Sequence, residues 1–211
     1  PRENLFITTK LWNKDQGYDT ALEACEKSLA RLDCGYIDLY LIHWPLKDLR
    51  NDSWKAFIEL QKRGLCRSIG VSNFTIDNLK ELEEKYDVLP AINQVEFHPY
   101  HYQKELLEYC NSKNIIIEAY SPLVHAKRMD EPRLMAISDE LGKTPAQVLI
   151  RWAIQRGMVV LPKSVNQDRI VENFAVFDFD ISNSLMKRLD DLDERYVTCW
   201  DPHNPPPYAP V

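Results

Sequence analysis

Ile37-Asp38-Leu39-Tyr40-Leu41-Ile42-His43-Trp44-Pro45 is a near-continuous apolar run, and this stretch decides the fold of the chain. Such a run is typical of a strand that is buried on both faces of a parallel sheet. Pro45 has no N–H for a strand ladder, so the predicted strand ends near His43. His43 and Trp44 therefore follow the carboxyl end of a strand, where α/β folds bind their ligands. From this stretch alone, a histidine that merely completes a strand end is an equally good interpretation.

The rest of the chain alternates predicted strands with predicted helices. The first helix carries Leu22, Cys25, Leu29 and Leu32 on one face, Ser53 is expected to cap the second, and Thr144 with Pro145 opens a later one. The predicted strands are, in chain order, 5–10, 37–43, 68–73, 91–97, 115–120 and 158–163. This alternation predicts βαβ units and a parallel sheet. The spacing of roughly 30 residues suits a (β/α)8 TIM barrel, of which about six βα units are present. No GxGxxG follows a strand, which disfavours a Rossmann domain.

Composition narrows the classes of function. The 211 residues are 45% hydrophobic, enough for one core, and the net charge is −6 without a basic stripe, so nucleic acid is not an expected partner. The five cysteines are an odd number without a CxxC pair. They indicate reduced thiols in a cytosolic protein, with neither a disulfide framework nor a metal site. No signal peptide and no apolar run of membrane-spanning length is present, so no membrane partner is expected.

Each predicted strand delivers polar or aromatic residues at or near its carboxyl end. These residues are Lys10, His43 with Trp44, Ser72 with Asn73, Gln94, Tyr120 with Ser121, and Lys163 with Ser164. Six such ends in register predict one concave site on one face of a barrel. The alternative is that strand ends are simply more hydrated than strand middles.

Six ordered motifs make the chain resemble an aldo-keto reductase over nearly its whole length. They are Thr9-Lys10-Leu11-Trp12, Leu41-Ile42-His43-Trp44-Pro45, Ile69-Gly70-Val71-Ser72-Asn73-Phe74, Asn93-Gln94-Val95-Glu96, Tyr120-Ser121-Pro122-Leu123 and Pro162-Lys163-Ser164. The resemblance implies a TIM barrel that binds an extended NADPH and reduces aldehydes or ketones. It also implies a cytoplasmic protein, expected to be a monomer, whose partner is a small carbonyl substrate.

The resemblance implies roles for individual residues. Lys10 and His43 resemble the lysine and histidine of the family's catalytic tetrad, the lysine lowering the pKa of the catalytic acid and the histidine orienting the substrate carbonyl. Trp12 and Trp44 resemble walls of the substrate pocket, and Trp200 lies where the family places a substrate-covering loop; for Trp12, rim packing is nearly as good an interpretation. The implied cofactor contacts are Ser72, Asn73 and Gln94 on the nicotinamide carboxamide, Tyr120 stacked on the nicotinamide, Ser121 and Leu123 at the pyrophosphate, Lys163, Ser164, Asn166 and Arg169 at the 2′-phosphate, and Glu172 and Asn173 on the adenine. Taken alone, Lys163 and Arg169 near a helix start are a plausible anion site, although such residues are usually just solvated.

The chain departs from the family pattern at two residues of the tetrad. The family's Asp and its proton-donating Tyr belong to the first two βα units, and neither has a counterpart here; Asp38 and Tyr40 lie within a strand. We therefore expect residues 1–211 to be a single aldo-keto reductase-type domain that is incomplete at its N-terminus by about 60 residues, with an irregular tail over residues 200–211. These residues expressed alone are expected to be a poor enzyme. A non-catalytic NADP-binding regulatory or structural protein, or an inactive truncated product, remains the alternative.

Overall fold

The computed structural model of the chain describes residues 1–199. The predicted tail at residues 200–211, including Trp200, lies outside the described residues. Two compact units make up the described part. The first comprises Pro1–Asn93 and Tyr109–Ile115, and the second comprises Gln94–Glu108 and Ile116–Cys199. The single-domain expectation for residues 1–211 stays a prediction.

The strands follow chain order in a six-stranded sheet. They are β1 (Thr8–Leu11), β2 (Ile37–Ile42), β3 (Cys66–Ser72), β4 (Ile92–Glu96), β5 (Ile116–Tyr120) and β6 (Val159–Val160). The pairing is parallel, with Lys10 opposite Leu41 in the β1–β2 register and Leu41 opposite Gly70 in the β2–β3 register. Ala119 lies opposite Val160 where β5 pairs with β6, again in parallel. Parallel neighbours require crossovers, and helices supply them.

The helices are α1 (Tyr18–Leu32), α2 (Arg50–Lys62), α3 (Ile76–Lys85), α4 (Lys104–Ser112), α5 (Pro132–Leu141), α6 (Pro145–Gln155), α7 (Gln167–Phe174) and α8 (Asn183–Asp190). Side-chain caps fix several of their starts. Thr75 and Thr144 each form a capping box with the third helical residue, and Pro145 occupies the first position of α6 as its sequence predicts. No helix among residues 1–199 is long and apolar enough to cross a membrane.

The core of the first unit forms around β2. Every residue of β2 is buried, as its apolar run predicts. On one side the ring of Tyr40 stacks on Phe57 of α2 at a centroid distance of 4.6 Å. At the amino end of β2, the Asp38 carboxylate pairs with Arg2 at 2.6 Å. Asp38 and Tyr40 thus have structural environments inside the strand, as expected.

In the second unit, Trp152 of α6 anchors the core. Its indole is fully buried, packs against Phe97 at 5.9 Å and donates a 2.9 Å hydrogen bond to Asp190. Arg156 also pairs with Asp190, so α6 and α8 are held by one carboxylate. An aromatic ring with a satisfied N–H stabilises a core without leaving a buried polar group unpaired.

The structure differs from the sequence-based predictions at two helices and at the end of one strand. Helix α5 was not predicted, although Glu131 caps it by accepting from the Leu134 N–H and Pro132 occupies its first turn. Ser53 does not cap α2, because that helix begins three residues earlier; its hydroxyl instead accepts from the Gly17 N–H. Strand β4 ends at Glu96, two residues after Gln94 and one residue before the predicted end at residue 97.

The predicted apolar face of α1 is displaced. Its buried residues are Ala21, Cys25 and Ser28, whereas Leu32 is exposed. Small side chains face the core because the helix lies close to the sheet: the Cys25 and Cys66 sulfurs are 3.7 Å apart. Within residues 1–199 all five cysteines are free thiols.

Candidate active site

His43 follows β2 directly, and the first unit places Lys10 and Trp12 beside it. Its backbone N–H donates to the Leu11 carbonyl at 3.2 Å, which extends the β1–β2 ladder to the histidine. Burial, together with the nearby Lys10 ammonium, lowers the pKa of His43 to about 4. The imidazole is therefore neutral at pH 7, and a neutral imidazole keeps one N–H to donate and one nitrogen to accept.

Two indoles flank this imidazole. Trp12 meets it edge-on with ring centroids 4.8 Å apart, and Trp44 lies nearly parallel to it at 6.4 Å. Trp44 is only 4% exposed, whereas Trp12 is half-buried. Of the two predicted pocket walls, Trp12 therefore presents more surface to a ligand beside His43.

Ser72 and Asn73 end β3 in the same unit, and both are buried. Asn73 has a φ of 63°, in the left-handed region that asparagine tolerates better than most residues. Its amide nitrogen donates to the His43 carbonyl at 3.0 Å and to the Ser72 hydroxyl at 3.2 Å. Ser72 and Asn73, the predicted carboxamide contacts, thus lie at a strand end that is hydrogen-bonded to the His43 backbone.

In the second unit, Gln94 is buried and donates through its side-chain nitrogen to the Glu118 carboxylate. Sequence analysis assigned no role to Glu118. Its position inside the apolar strand 116–120 could have indicated a role, since a buried carboxylate needs a hydrogen-bonding partner. Because the Gln94 nitrogen donates to Glu118, the Gln94 oxygen is the end of the amide that points away from this carboxylate.

Tyr120 ends β5, and burial raises the pKa of its phenol. The segment that follows is strained: Ser121, Val124, His125 and Ala126 all have φ between 50° and 60° without being glycine. Each such residue costs about 1–2 kcal/mol, and strain of this kind concentrates at functional segments. Ser121 and Leu123, predicted to face a pyrophosphate, lie in this strained stretch, and the Ser121 hydroxyl lies 3.1 Å from the His125 ring.

Glu96 is a further residue that sequence analysis left without a role. Its carboxylate accepts from the Thr198 N–H at 2.8 Å and the Cys199 N–H at 3.0 Å, and it lies 3.0 Å from the His98 ring. Burial raises the pKa of Glu96, but the hydrogen bonds from His98 and Thr198 outweigh burial and hold that pKa at about 2. Glu96 thereby anchors the end of the described chain to β4.

The predicted 2′-phosphate and adenine residues gather around the start and the face of α7. Asn166 caps α7 by accepting from the Arg169 N–H at 3.0 Å, and Lys163 and Arg169 are exposed. A cavity of about 410 Å³ beside them is lined by Pro162, Ile170, Val171, Asn173 and Phe174. Ile170, Val171 and Phe174 are more than half exposed, so this cavity is open to solvent and offers a flat heterocycle such as adenine an apolar surface beside one buried amide. Glu172 lies nearby, but one of its oxygens accepts from the Thr144 hydroxyl.

Comparison with known proteins identifies the family. The family model described as "Aldo/keto reductase family" matches residues 1–194. The chain belongs to the aldo/keto reductase family. A curated member, glyoxal reductase of Bacillus subtilis, is 50% identical over 196 residues, which is 92% of this chain and 71% of that protein.

Two solved structures share the architecture and hold the predicted cofactor. A mutant of Gox0644 in complex with NADPH superposes with a TM-score of 0.92 at 40% identity, covering 97% of this chain and 76% of that one. The Bombyx mori aldo-keto reductase in complex with NADP gives 0.86 at 35% identity, covering 93% and 70%. The predicted α/β class is confirmed, with about six βα units of the family's barrel present. NADP(H) is confirmed as the cofactor of the family.

Proposed function

We propose that the protein reduces small aldehydes and ketones to alcohols with NADPH. The observation that carries this proposal is the neutral, half-buried imidazole of His43, which follows β2, contacts the Trp12 indole and lies near the Lys10 ammonium. A neutral imidazole can donate its N–H to a carbonyl oxygen and stabilise the negative charge that develops there. NADPH, when bound, would supply a hydride to the carbonyl carbon and become NADP⁺, and a proton donor would protonate the carbonyl oxygen to give the alcohol.

Roles for the remaining residues are proposals that rest on the family. In the first unit, Lys10 adjusts the acidity of the proton donor, and Ser72 and Asn73 bond the nicotinamide carboxamide. In the second unit, Gln94 has the family role of a carboxamide contact, Tyr120 stacks on the nicotinamide, and the strained segment after it contacts the pyrophosphate. The exposed cations at α7 and the adjacent cavity suit the phosphate and the adenine. We further propose a cytoplasmic monomer, consistent with the five free thiols.

The experiment follows NADPH absorbance in the presence of glyoxal and other small aldehydes. Wild-type protein should oxidise NADPH, and His43→Ala should lower turnover by about 10²-fold, the scale of losing one preorganised donor. The affinity for NADPH should change little, because His43 faces the substrate. If His43→Ala abolishes cofactor binding, His43 is a structural residue.

The same assay separates the alternatives. A protein that binds NADPH tightly but oxidises it with no aldehyde would be a regulatory or structural NADP-binding protein. Turnover that is low in wild type and lost in His43→Ala would point to a missing general acid, which contributes about 10²–10⁴-fold, because the family's catalytic Asp and Tyr have no counterpart in residues 1–211.

A further inference from the structure

Two side-chain amides of the first unit donate to consecutive backbone carbonyls, those of His43 and Trp44. Asn73 donates to the His43 carbonyl at 3.0 Å, and Gln16 donates to the Trp44 carbonyl at 2.7 Å. The Asn73 contact comes from the neighbouring strand end. The Gln16 contact comes from the segment between β1 and α1, where the family resemblance gives a role to Trp12 and none to Gln16.

Gln16 also belongs to the segment that carries Trp12. A 3-10 turn, Asn13–Asp15, connects the two residues, with the Asp15 N–H donating to the Trp12 carbonyl at 3.0 Å and the Gln16 N–H donating to the Asn13 carbonyl at 3.3 Å. The amide of Gln16 therefore links the backbone after Trp12 to the backbone of Trp44. The rings of both tryptophans flank His43.

The Gln16 amide is buried although its hydrogen bonding is incomplete. The side chain is only 4% exposed, and its oxygen has no hydrogen-bond partner among the described residues; the amide nitrogen of Asn13, 1% exposed, is likewise unpartnered there. Reversing the Gln16 amide would set its oxygen against the Trp44 carbonyl, so the orientation is fixed. A buried amide with an unpaired oxygen is a poor choice for stability alone.

We propose that Gln16 is a positioning residue for carbonyl reduction, whose bond to the Trp44 carbonyl sets the placement of His43 and Trp44 relative to Trp12. This inference rests on the proposed function. The hydrogen bond acts on backbone, so it moves the imidazole and the indole together. A misplacement of about 1 Å at a reacting group can reduce a rate by about 10²-fold.

Gln16→Met removes the hydrogen bond at nearly constant volume. The loop should keep its fold, because the Gly17 N–H still donates to Ser53 at 2.9 Å and the Thr20 hydroxyl still donates to the Gln16 carbonyl at 2.9 Å. The matched control is Gln61→Met, since Gln61 also donates to a backbone carbonyl, that of Arg67, at 3.2 Å. We expect Gln16→Met to lower kcat/KM for an aldehyde about 10- to 100-fold with an unchanged Kd for NADPH, and Gln61→Met to match wild type.

Gln16→Glu supplies a signature that a purely structural role would not give. A protonated carboxyl can donate to the Trp44 carbonyl and a carboxylate cannot, and burial raises the pKa of a glutamate above its ordinary value of about 4.3. The kcat/KM of Gln16→Glu, divided by that of wild type at each pH, should therefore equal the Gln16→Met value at high pH and recover as the pH falls.

Each outcome decides the inference. Wild-type kcat/KM in folded Gln16→Met, or Gln16→Glu without recovery at low pH, would overturn it, and loss of folding in both variants would make Gln16 structural. If wild type turns over no aldehyde, the proposed function fails instead. Positioning is then read from NMR titration of the His43 ring, whose pKa should rise in Gln16→Met as the ring gains water; an unchanged titration would overturn the inference.

Discussion

Replacing His43 by leucine should remove a specific part of the pH dependence of stability. The pKa of this imidazole is 6.5 in an unfolded chain and about 4 in the folded protein, because burial and Lys10 disfavour its charged form. Between these values the unfolded chain binds a proton that the folded chain does not bind. The free energy of unfolding therefore falls as the pH falls from about 6.5 to about 4, and this contribution is constant above the window.

The size of this effect follows from the same two pKa values. The full difference corresponds to about 3 kcal/mol at 1.36 kcal/mol per pH unit. His43 is only half-buried, and solvent screening reduces the expected contribution to about 1–2 kcal/mol.

Urea unfolding of wild type and His43→Leu at several pH values between 4 and 7 would measure this contribution. The free energy of unfolding should decline more steeply in wild type than in the variant as the pH falls from 6.5 to 4. Carboxylates titrate equally in both proteins. The difference between the two curves of unfolding free energy against pH therefore measures the contribution of His43. Parallel curves, or an NMR titration of His43 near its ordinary pKa, would refute the account of a neutral, buried imidazole.

Two further predictions concern residues that support the strand ends. Gly70→Ala should destabilise the protein by about 1–3 kcal/mol by overpacking, since its Cβ would lie 2.7 Å from the Ile92 carbonyl and 2.8 Å from a Leu41 methyl; a thermal melt that shows a stabilised variant would contradict this. Glu96→Gln should cost about 1–3 kcal/mol, because it sets an amide N–H₂ against buried donors, and should speed hydrogen exchange of the Thr198 amide. In wild type, the stability that Glu96 confers should be lost only as the pH falls from 4.5 towards 2. If hydrogen exchange of the Thr198 amide is unchanged in Glu96→Gln, Glu96 does not anchor this segment.

Much of the fold could be predicted from sequence because its signals are local. The apolar run at residues 37–42 and the Thr144-Pro145 start of α6 each depend on a few adjacent residues, and both predictions are confirmed. Helix α5 was missed although its cap is also local, because glutamate is a weaker N-cap signal than serine or threonine. The face of α1 was misassigned because close packing against β3 selects small side chains over leucines.

The candidate site, too, could be predicted from sequence only in part. The strand-end residues could be named because their motifs are contiguous, and the structure places them at or near strand ends. The partners that orient them are distant in sequence: Glu118 is 24 residues from Gln94, and Trp44 is 28 residues from Gln16. No local pattern encodes such a pair, so these contacts require the tertiary structure.

Cofactor selectivity tests the central claim most directly. Lys163 and Arg169 are assigned to the 2′-phosphate, and each charge-assisted contact is worth about 1.5–3 kcal/mol, or about tenfold or more in affinity. Fluorescence titration with NADPH and NADH should compare wild type with the double variant Lys163→Met and Arg169→Met. The control, Lys104→Met with Arg188→Met, removes the same charge from the same unit. We predict that the double variant loses about 100-fold or more in NADPH affinity and little in NADH affinity, while the control keeps wild-type selectivity. Equal losses for both cofactors, or equal losses in the control, would contradict the account.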